Sequence, residues 1–295
     1  MKRLCYQIPK CALIFIPLSF FPSYSLALAV AADSMASHPA GVEGNAADEA
    51  LELLKEMCLY GNAVVQGTII DWINVMDKDL KLLQHFEQRF LLSSEAIHAR
   101  KQRNKTVTSF TPLTSAEREE YQNATQTYQM LKEFCEGHNL ACQNMLRDQP
   151  MHQGTVNVVQ IAVDLMVFLA DDVAALKMME DLEVELVYNA LECLIEMVQG
   201  PCSGNQELMG ADARLLNALD TIMVSQFHPR ISRIWCLRVK VNAVSLLASC
   251  KSLRTHPTPG RYNNTEEGRK ERRKEEKNNQ REATLLSHRV CCAAI

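Results

Sequence analysis

Glu183-Val-Glu-Leu-Val-Tyr-Asn-Ala-Leu-Glu-Cys-Leu-Ile-Glu-Met-Val-Gln199 puts Leu186, Val187, Ala190, Leu191, Leu194, Ile195 and Val198 on one broad stripe at helical spacing. Gly200-Pro201 stops it, because Gly supplies a left-handed residue and Pro forbids continuation. The same pattern extends outward in both directions. Upstream, Val156 to Leu169 is so apolar that more than one face must be buried, which places it at the centre of the core. Thr114 with Glu117 forms a capping-box pattern for a helix that runs through Tyr121, Tyr128, Leu131 and Phe134 to Glu136. Gly137 ends that helix, and Asn139 caps a short one carrying Leu140, Met145 and Leu146 before Pro150. Downstream, Asp212 caps a helix with Leu215, Leu216, Leu219, Ile222 and Met223. A last helix over about 230–249 is expected to bury Ile234, Leu237, Val241, Val244 and Leu247.

Before residue 99, a helix over about 47–60 carries Leu51, Leu54 and Cys58 and closes at Gly61-Asn62. From Val64 to His98 the stripe Ile69, Ile70, Ile73, Met76, Leu80, Leu83, Phe86, Phe90 fits one or two helices. Residues 99–114 lose the stripe, gain Lys and Arg and read as a loop between flanking helices at 47–98 and a helical domain at 115–250. No strand pattern competes. The fold class is all-α, six or seven amphipathic helices with mostly short joints, stacked in layers or in an armadillo-like solenoid, with no repeat period visible.

Composition agrees. With 47% apolar and 22% charged residues in 295, the chain has enough hydrophobe for a core, and disorder throughout is excluded. Only 6% of residues are aromatic, and Gly and Pro together number 21, which favours helices over a sheet-rich barrel. The formal charge of −4 is unevenly placed: residues 251–295 hold 11 Lys/Arg against 6 Asp/Glu, so the tail is +5 and the remainder −9. That balance excludes a whole-chain nucleic-acid binder, and the polar, mixed-charge tail reads as disordered or as a lone solvated helix. Of the 11 cysteines, Cys58, Cys135, Cys193, Cys236 and Cys250 sit inside apolar helical patterns, the setting of reduced buried thiols rather than of a disulfide framework.

Both ends carry address-like signals. Lys2 and Arg3 precede a mostly apolar run, Cys11 to Ala31, ending Ala-Val-Ala; it resembles a signal peptide, although Pro17 and Pro22 interrupt it, and a spanning helix or a fortuitous leader are the alternatives. Residues 32–46 have no periodicity and read as a flexible linker, completing a leader over 1–46. The sequons at Asn104, Asn123 and Asn263 are no more than chance would give. Cys292-Ala-Ala-Ile295 has the C-a-a-X form with a basic-rich stretch upstream, a candidate lipidation site at Cys292, but Ile is outside the usual set at the last position.

No Walker loop, G-x-G-x-x-G, H-E-x-x-H, EF-hand loop or G-x-S-x-G appears, so neither an enzyme nor a cofactor is expected. The nearest approach to a metal-ligand set is Cys135, His138 and Cys142 with Cys202 as a fourth. Its spacing is unlike a finger or ribbon, and buried thiols beside a hydrogen-bonded histidine explain it as well, so no metal is expected. Two polar clusters remain: Phe134-Cys-Glu-Gly-His-Asn-Leu-Ala-Cys-Gln-Asn-Met-Leu-Arg147 and Val198-Gln-Gly-Pro-Cys-Ser-Gly-Asn-Gln206. In one reading these are two helix corners whose amides satisfy exposed backbone groups. In the other, the corners lie side by side on one edge of the stack, where Glu136, His138, Gln143, Asn144 and Gln206 form a polar docking surface.

Leu131-Lys-Glu-Phe-Cys135-Glu136-Gly137-His138-Asn139, then Gln143-Asn144, Leu146-Arg147 and Gln149, resembles the opening of the associated helical domain of inositol trisphosphate and ryanodine receptors. Gln199-Gly200-Pro201-Cys202-x-Gly204-Asn205-Gln206 resembles the same domain's other signature, about 60 residues on and in the family's order. The resemblance covers roughly residues 115–250. It implies a cytosolic helical scaffold of very large calcium-release channels at the endoplasmic reticulum, with protein partners, possible docking through those motif residues, and membrane association only through a channel or through the leader or lipid signals. Neither the family's ligand core nor its pore is recognisable in this sequence, and 115–250 shows no basic pocket suited to an inositol phosphate. A free-standing helical adaptor outside any channel is the alternative.

Overall fold

The computed structural model describes residues 22–37, 46–105 and 110–251, and within them twelve helices and no strand. They repeat a three-helix unit. The first unit is α2 (Ala46–Cys58), α3 (Ala63–Val75) and α4 (Lys81–Lys105); the second is α5 (Ser115–Cys135), α6 (Leu140–Met145) and α7 (Val158–Ala170), followed by a single turn, α8 (Val173–Lys177). The third is α9 (Asp181–Val198), α10 (Ser203–Ala211) and α11 (Ala213–Val224), and α12 (Arg233–Lys251) follows. Equivalent helices stack into rows: α2 on α5 on α9 on α12, α3 on α6 on α10, and α4 on α7 on α11. This is the all-α, armadillo-like stack the periodicity predicts, with the repeat made explicit.

The row of first helices forms the middle of the molecule. Leu186, Val187, Ala190, Leu191 and Leu194 of α9 are fully buried, as are Tyr128 and Leu131 of α5, and the Tyr128 hydroxyl donates to the carbonyl of Ala162 on α7 at 2.8 Å. Helix α7 buries Val158, Val159, Ala162, Val163, Leu165, Met166, Leu169 and Ala170, so more than one face is covered, as its composition requires. Local signals set the ends: Thr114 and Glu117 form the reciprocal capping box of α5, and Asn139, Asp172 and Asp212 cap α6, α8 and α11.

Four expectations are corrected. Residues 99–105 are not a loop but the last two turns of α4, whose buried face runs Phe86, Phe90, Ser93, Ile97, Arg100. An apolar stripe stops at Ile97; the face continues because the Arg100 guanidinium, 1% exposed, meets Glu183 at 3.4 Å. Residues 32–37 are not a linker but the end of α1 (Pro22–Ser37), where Ala31, Ala32 and Met35 are buried against the first unit, small side chains permitting close approach. Helix α12 keeps only part of its expected face: Val244 and Leu247 are buried as expected, but Val239, Ala243, Leu246 and Cys250 are buried with them, Leu237 and Val241 are half-buried and Ile234 is 66% exposed. Its apolar residues surround the helix, so periodicity chooses no face, and contact with α9, where Trp235 lies edge-on to Tyr188 at 5.1 Å, decides. The count of six or seven helices falls short of the twelve described, and among those it leaves out α1, α8 and α10 are short or poor in large hydrophobes.

The segment Lys2 to Phe21, the basic tail from Ser252 onward, Asn263 and Cys292 lie outside the described residues. No helix among the described residues is long and apolar enough to cross a membrane.

Candidate functional site

The first two helices of each unit join at a tight corner, and the three corners stack on one another along one edge of the molecule. Each needs a left-handed residue: Tyr60 and Gly61, Gly137 and His138, and Gly200 all have φ between 57° and 78°. The approach is close. A Cβ on Gly61 would lie 2.7 Å from the carbonyl oxygen of Glu136, and one on Gly200 would lie 2.9 Å from the Cβ of His138. Both glycines are therefore required by conformation and by contact.

After each corner a cap residue opens the short helix, and a glutamine follows at its fourth position: Asn62 and Gln66, Asn139 and Gln143, Cys202 and Gln206. The glutamines serve neighbouring units in the same register. Gln66 donates its side-chain amide to the carbonyls of Glu133 and Glu136, the C-terminal end of α5, at 3.2 and 3.0 Å. Gln143 donates to the carbonyls of Glu196 and Gln199, the equivalent end of α9, at 2.7 and 2.8 Å. These carbonyls have no partner within their own helix, so each glutamine satisfies two orphaned acceptors and ties one unit to the next. Gln206 turns back instead, donating to Val198 and Gly200 at 2.8 and 3.0 Å.

The other motif residues complete the joint between the second and third corners. Asn205, fully buried, donates to the carbonyls of Met197 and Gln143 at 2.8 and 3.2 Å. Arg147 donates to Asn205, to Asn144 at 2.7 Å and to the Cys202 sulfur at 3.5 Å. Its guanidinium lies directly over Gly204, where a Cβ would come within 2.4 Å of Cζ, so a side chain at this position would have to displace the Arg147 guanidinium from its bonds to Asn205 and Asn144. Gln149 spans its own loop, donating to Val156 at 3.0 Å and accepting from Thr155 and Val156.

The outer side of the edge is acidic and partly apolar. Glu133 accepts from the Tyr60 amide at 3.2 Å and stands 4.0 Å from Lys132, which pairs with Glu192 at 3.1 Å. Burial, then the neighbouring carboxylates of Glu136 and Glu133, push the Glu196 carboxyl above the usual carboxylate range against the pull of His138 and Lys132. Glu133 is raised for the same first reason. One Glu196 oxygen is buried without a hydrogen bond. Beside these carboxylates Tyr60, Val64 and Leu140 are exposed at 79%, 56% and 40%. Beneath the edge, burial pushes the thiols up, Cys58 to about 12 and Cys135 and Cys193 well above the ordinary value, which makes them poor nucleophiles.

The two motif clusters thus stand side by side, and the backbone-satisfying reading accounts for most of their polar groups. Gln143 and Asn205 are fully buried and face inward, so Gln143 is not part of a docking surface; Glu136, Asn144 and Gln206 are half-buried and His138 is exposed. Cys135, Cys142 and Cys202 are buried while His138 is on the outside, and among the described residues no three His, Cys, Asp or Glu side chains are placed to hold a metal ion. Sequence reasoning placed a helix end at Gly61-Asn62 but missed Gln66 and the likeness of this corner to the second. A signal was present: Cys58-x3-Asn62-x3-Gln66 has the spacing of Cys135-x3-Asn139-x3-Gln143.

Residues 118–223 match the family described as RyR and IP3R Homology associated. The matched segment runs from the first turn of α5 to the last turn of α11 and holds the second and third corners with all the bonds between them.

Proposed function

With residues 118–223 a RyR and IP3R Homology associated domain, we propose that the chain is a regulatory or scaffold module of calcium-release channel type, acting through protein contacts rather than catalysis. The observation that carries the reading is the register of Gln66 and Gln143, each of which fastens the first helix of the following unit by two main-chain carbonyls. Units tied this way move as packed bodies, so a displacement imposed at one end of the array is passed on rather than absorbed in a flexible joint. Its place, on this reading, is the cytosolic face of the endoplasmic reticulum, and its partners are channel subunits.

The test is assembly and calcium release together. The full chain, expressed with an affinity tag, is expected to co-purify with a channel polypeptide of the inositol trisphosphate or ryanodine receptor type, and its removal from cells to change the rate of calcium release. Absence of both effects sinks the channel reading and leaves a free-standing adaptor.

A further inference from the structure

The row of first helices is closed at one end and open at the other. Before α2, the helix α1 packs on α2, α3 and α4. Each later first helix is covered by the next, α5 by α9 and α9 by α12, and α12 is the last of the row among the described residues. Toward the array it buries Val239, Ala243, Leu246 and Cys250. On the opposite side the helical turn brings Ile234, Leu237, Val241 and Ala248 onto one stripe, Ile234 exposed and the other three half-buried. A helix with apolar residues on both sides calls for a cover on both, and a stacked array stays soluble when its end faces are polar. The outer side of α12 satisfies neither condition.

Charge indicates what covers it. Helix α12 holds Arg233, Arg238 and Lys240 and no carboxylate, whereas α9, the helix beneath it, holds five carboxylates and no base. By helical geometry Arg233 and Lys240 border the outer stripe on one side and Arg238 on the other. The ion pairs among the described residues involve none of the three. A second copy is a poor occupant, because α12 against α12 sets these bases against one another and a head-to-tail contact needs the end that α1 closes.

We propose that the outer face of α12 is a docking site for an acidic amphipathic helix of another protein, which lies along α12 as the next first helix of the row. The apolar residues of that helix cover Ile234, Leu237, Val241 and Ala248, and its carboxylates meet Arg233, Arg238 and Lys240. Apolar burial supplies the affinity and charge selects the partner. The contact needs the helical array and not a channel, so it stands whether or not the chain assembles with one.

The probe is a synthetic 18-residue amphipathic peptide, the length of α9, with leucine on one face and glutamate on the other, and a twin in which glutamine replaces every glutamate. Binding of the labelled peptides to the full chain is read by fluorescence anisotropy. The glutamate peptide is expected to bind with one-to-one stoichiometry and more tightly than its twin. Ile234→Asp should weaken both peptides at least about tenfold, and R233E/R238E should weaken the glutamate peptide alone. All three substituted side chains are exposed, so the circular dichroism of the variants should match wild type. No binding of the glutamate peptide, binding untouched by Ile234→Asp, or an equal effect of R233E/R238E on the two peptides overturns the proposal. So does a wild-type dimer in sedimentation that Ile234→Asp dissolves, since the occupant is then a second copy.

Discussion

Asn139 donates its side-chain amide to the Gln66 carbonyl oxygen at 2.7 Å, closing the hydrogen-bond set of that glutamine between the first and second units. One unit further on, the same place is held by Cys202, and the equivalent oxygen of Gln143 is buried without a hydrogen bond. The array therefore repeats its polar joint with one bond missing.

Cys202→Asn supplies that bond and a better helix cap. A stabilisation of about 1 kcal/mol is expected, from a hydrogen bond of ordinary net worth and a cap side chain that Cys lacks. Thermal melting checks it, with Cys202→Ser as the control: serine caps α10 without reaching Gln143, so the asparagine variant should melt higher.

Gln143→Ala and Gln66→Ala each leave two helix-end carbonyls without a donor. The expected cost is about 1–3 kcal/mol apiece, measured by urea unfolding. Because Gln66 also accepts from Asn139, the double variant Q66A/N139A should cost less than the sum of the singles. Strict additivity would mean that the bond between the two amides contributes nothing.

Three glycines should respond with opposite signs. Ala at Gly61 or Gly200 must adopt a left-handed conformation and press on Glu136 or His138, so a loss of about 2 kcal/mol is expected. Gly67 lies in the interior of α3 with nothing within 4 Å of its Cβ position, and Gly67→Ala should stabilise by about 0.5–1 kcal/mol. Chemical denaturation of the three variants separates these outcomes.

Arg100→Ala removes the partner of a carboxylate that is 4% exposed, and the expected cost near neutral pH is about 3–5 kcal/mol. Burial holds the Glu183 carboxyl above the usual range against the pull of Arg100, its backbone hydrogen bond and Tyr121. With the folded-state pKa raised, its contribution is fully present below the unfolded value of about 4.3 and is lost as pH rises through the folded value. Without Arg100 that loss deepens. The gap in stability between wild type and variant should widen from about pH 4.5 to pH 7.5, and a gap that narrows would mean that Glu183 is not the titrating group.

Leu191→Asp and Leu194→Asp each bury an unpaired carboxylate in the middle row, where both leucines are 0% exposed, and each should unfold the protein by circular dichroism. His138→Ala, at an exposed position, should leave the melting curve nearly unchanged.

What the sequence determined by itself was local: the stripe of α9, the caps at Thr114, Asn139 and Asp212, and the Gly137 and Gly200 stops. Each depends on residues within a turn or two of one another, and the two motif strings around Cys135 and Cys202 are legible for the same reason. What only the tertiary structure decided were relationships across long separations. Arg100 reads as a solvent residue until Glu183, 83 residues away, is beside it. The buried face of α12 is open until α9 takes it, because its own apolar residues point all round. The Cys58-x3-Asn62-x3-Gln66 spacing marks the first corner, but nothing near Gln66 says which helix, 67–70 residues later, it caps, and loops of unequal length between Gln66, Gln143 and Gln206 hide the repeat from any search for a fixed period. Local propensity fixes which segments are helices; which carbonyl or carboxylate a polar side chain meets is fixed only when those helices pack.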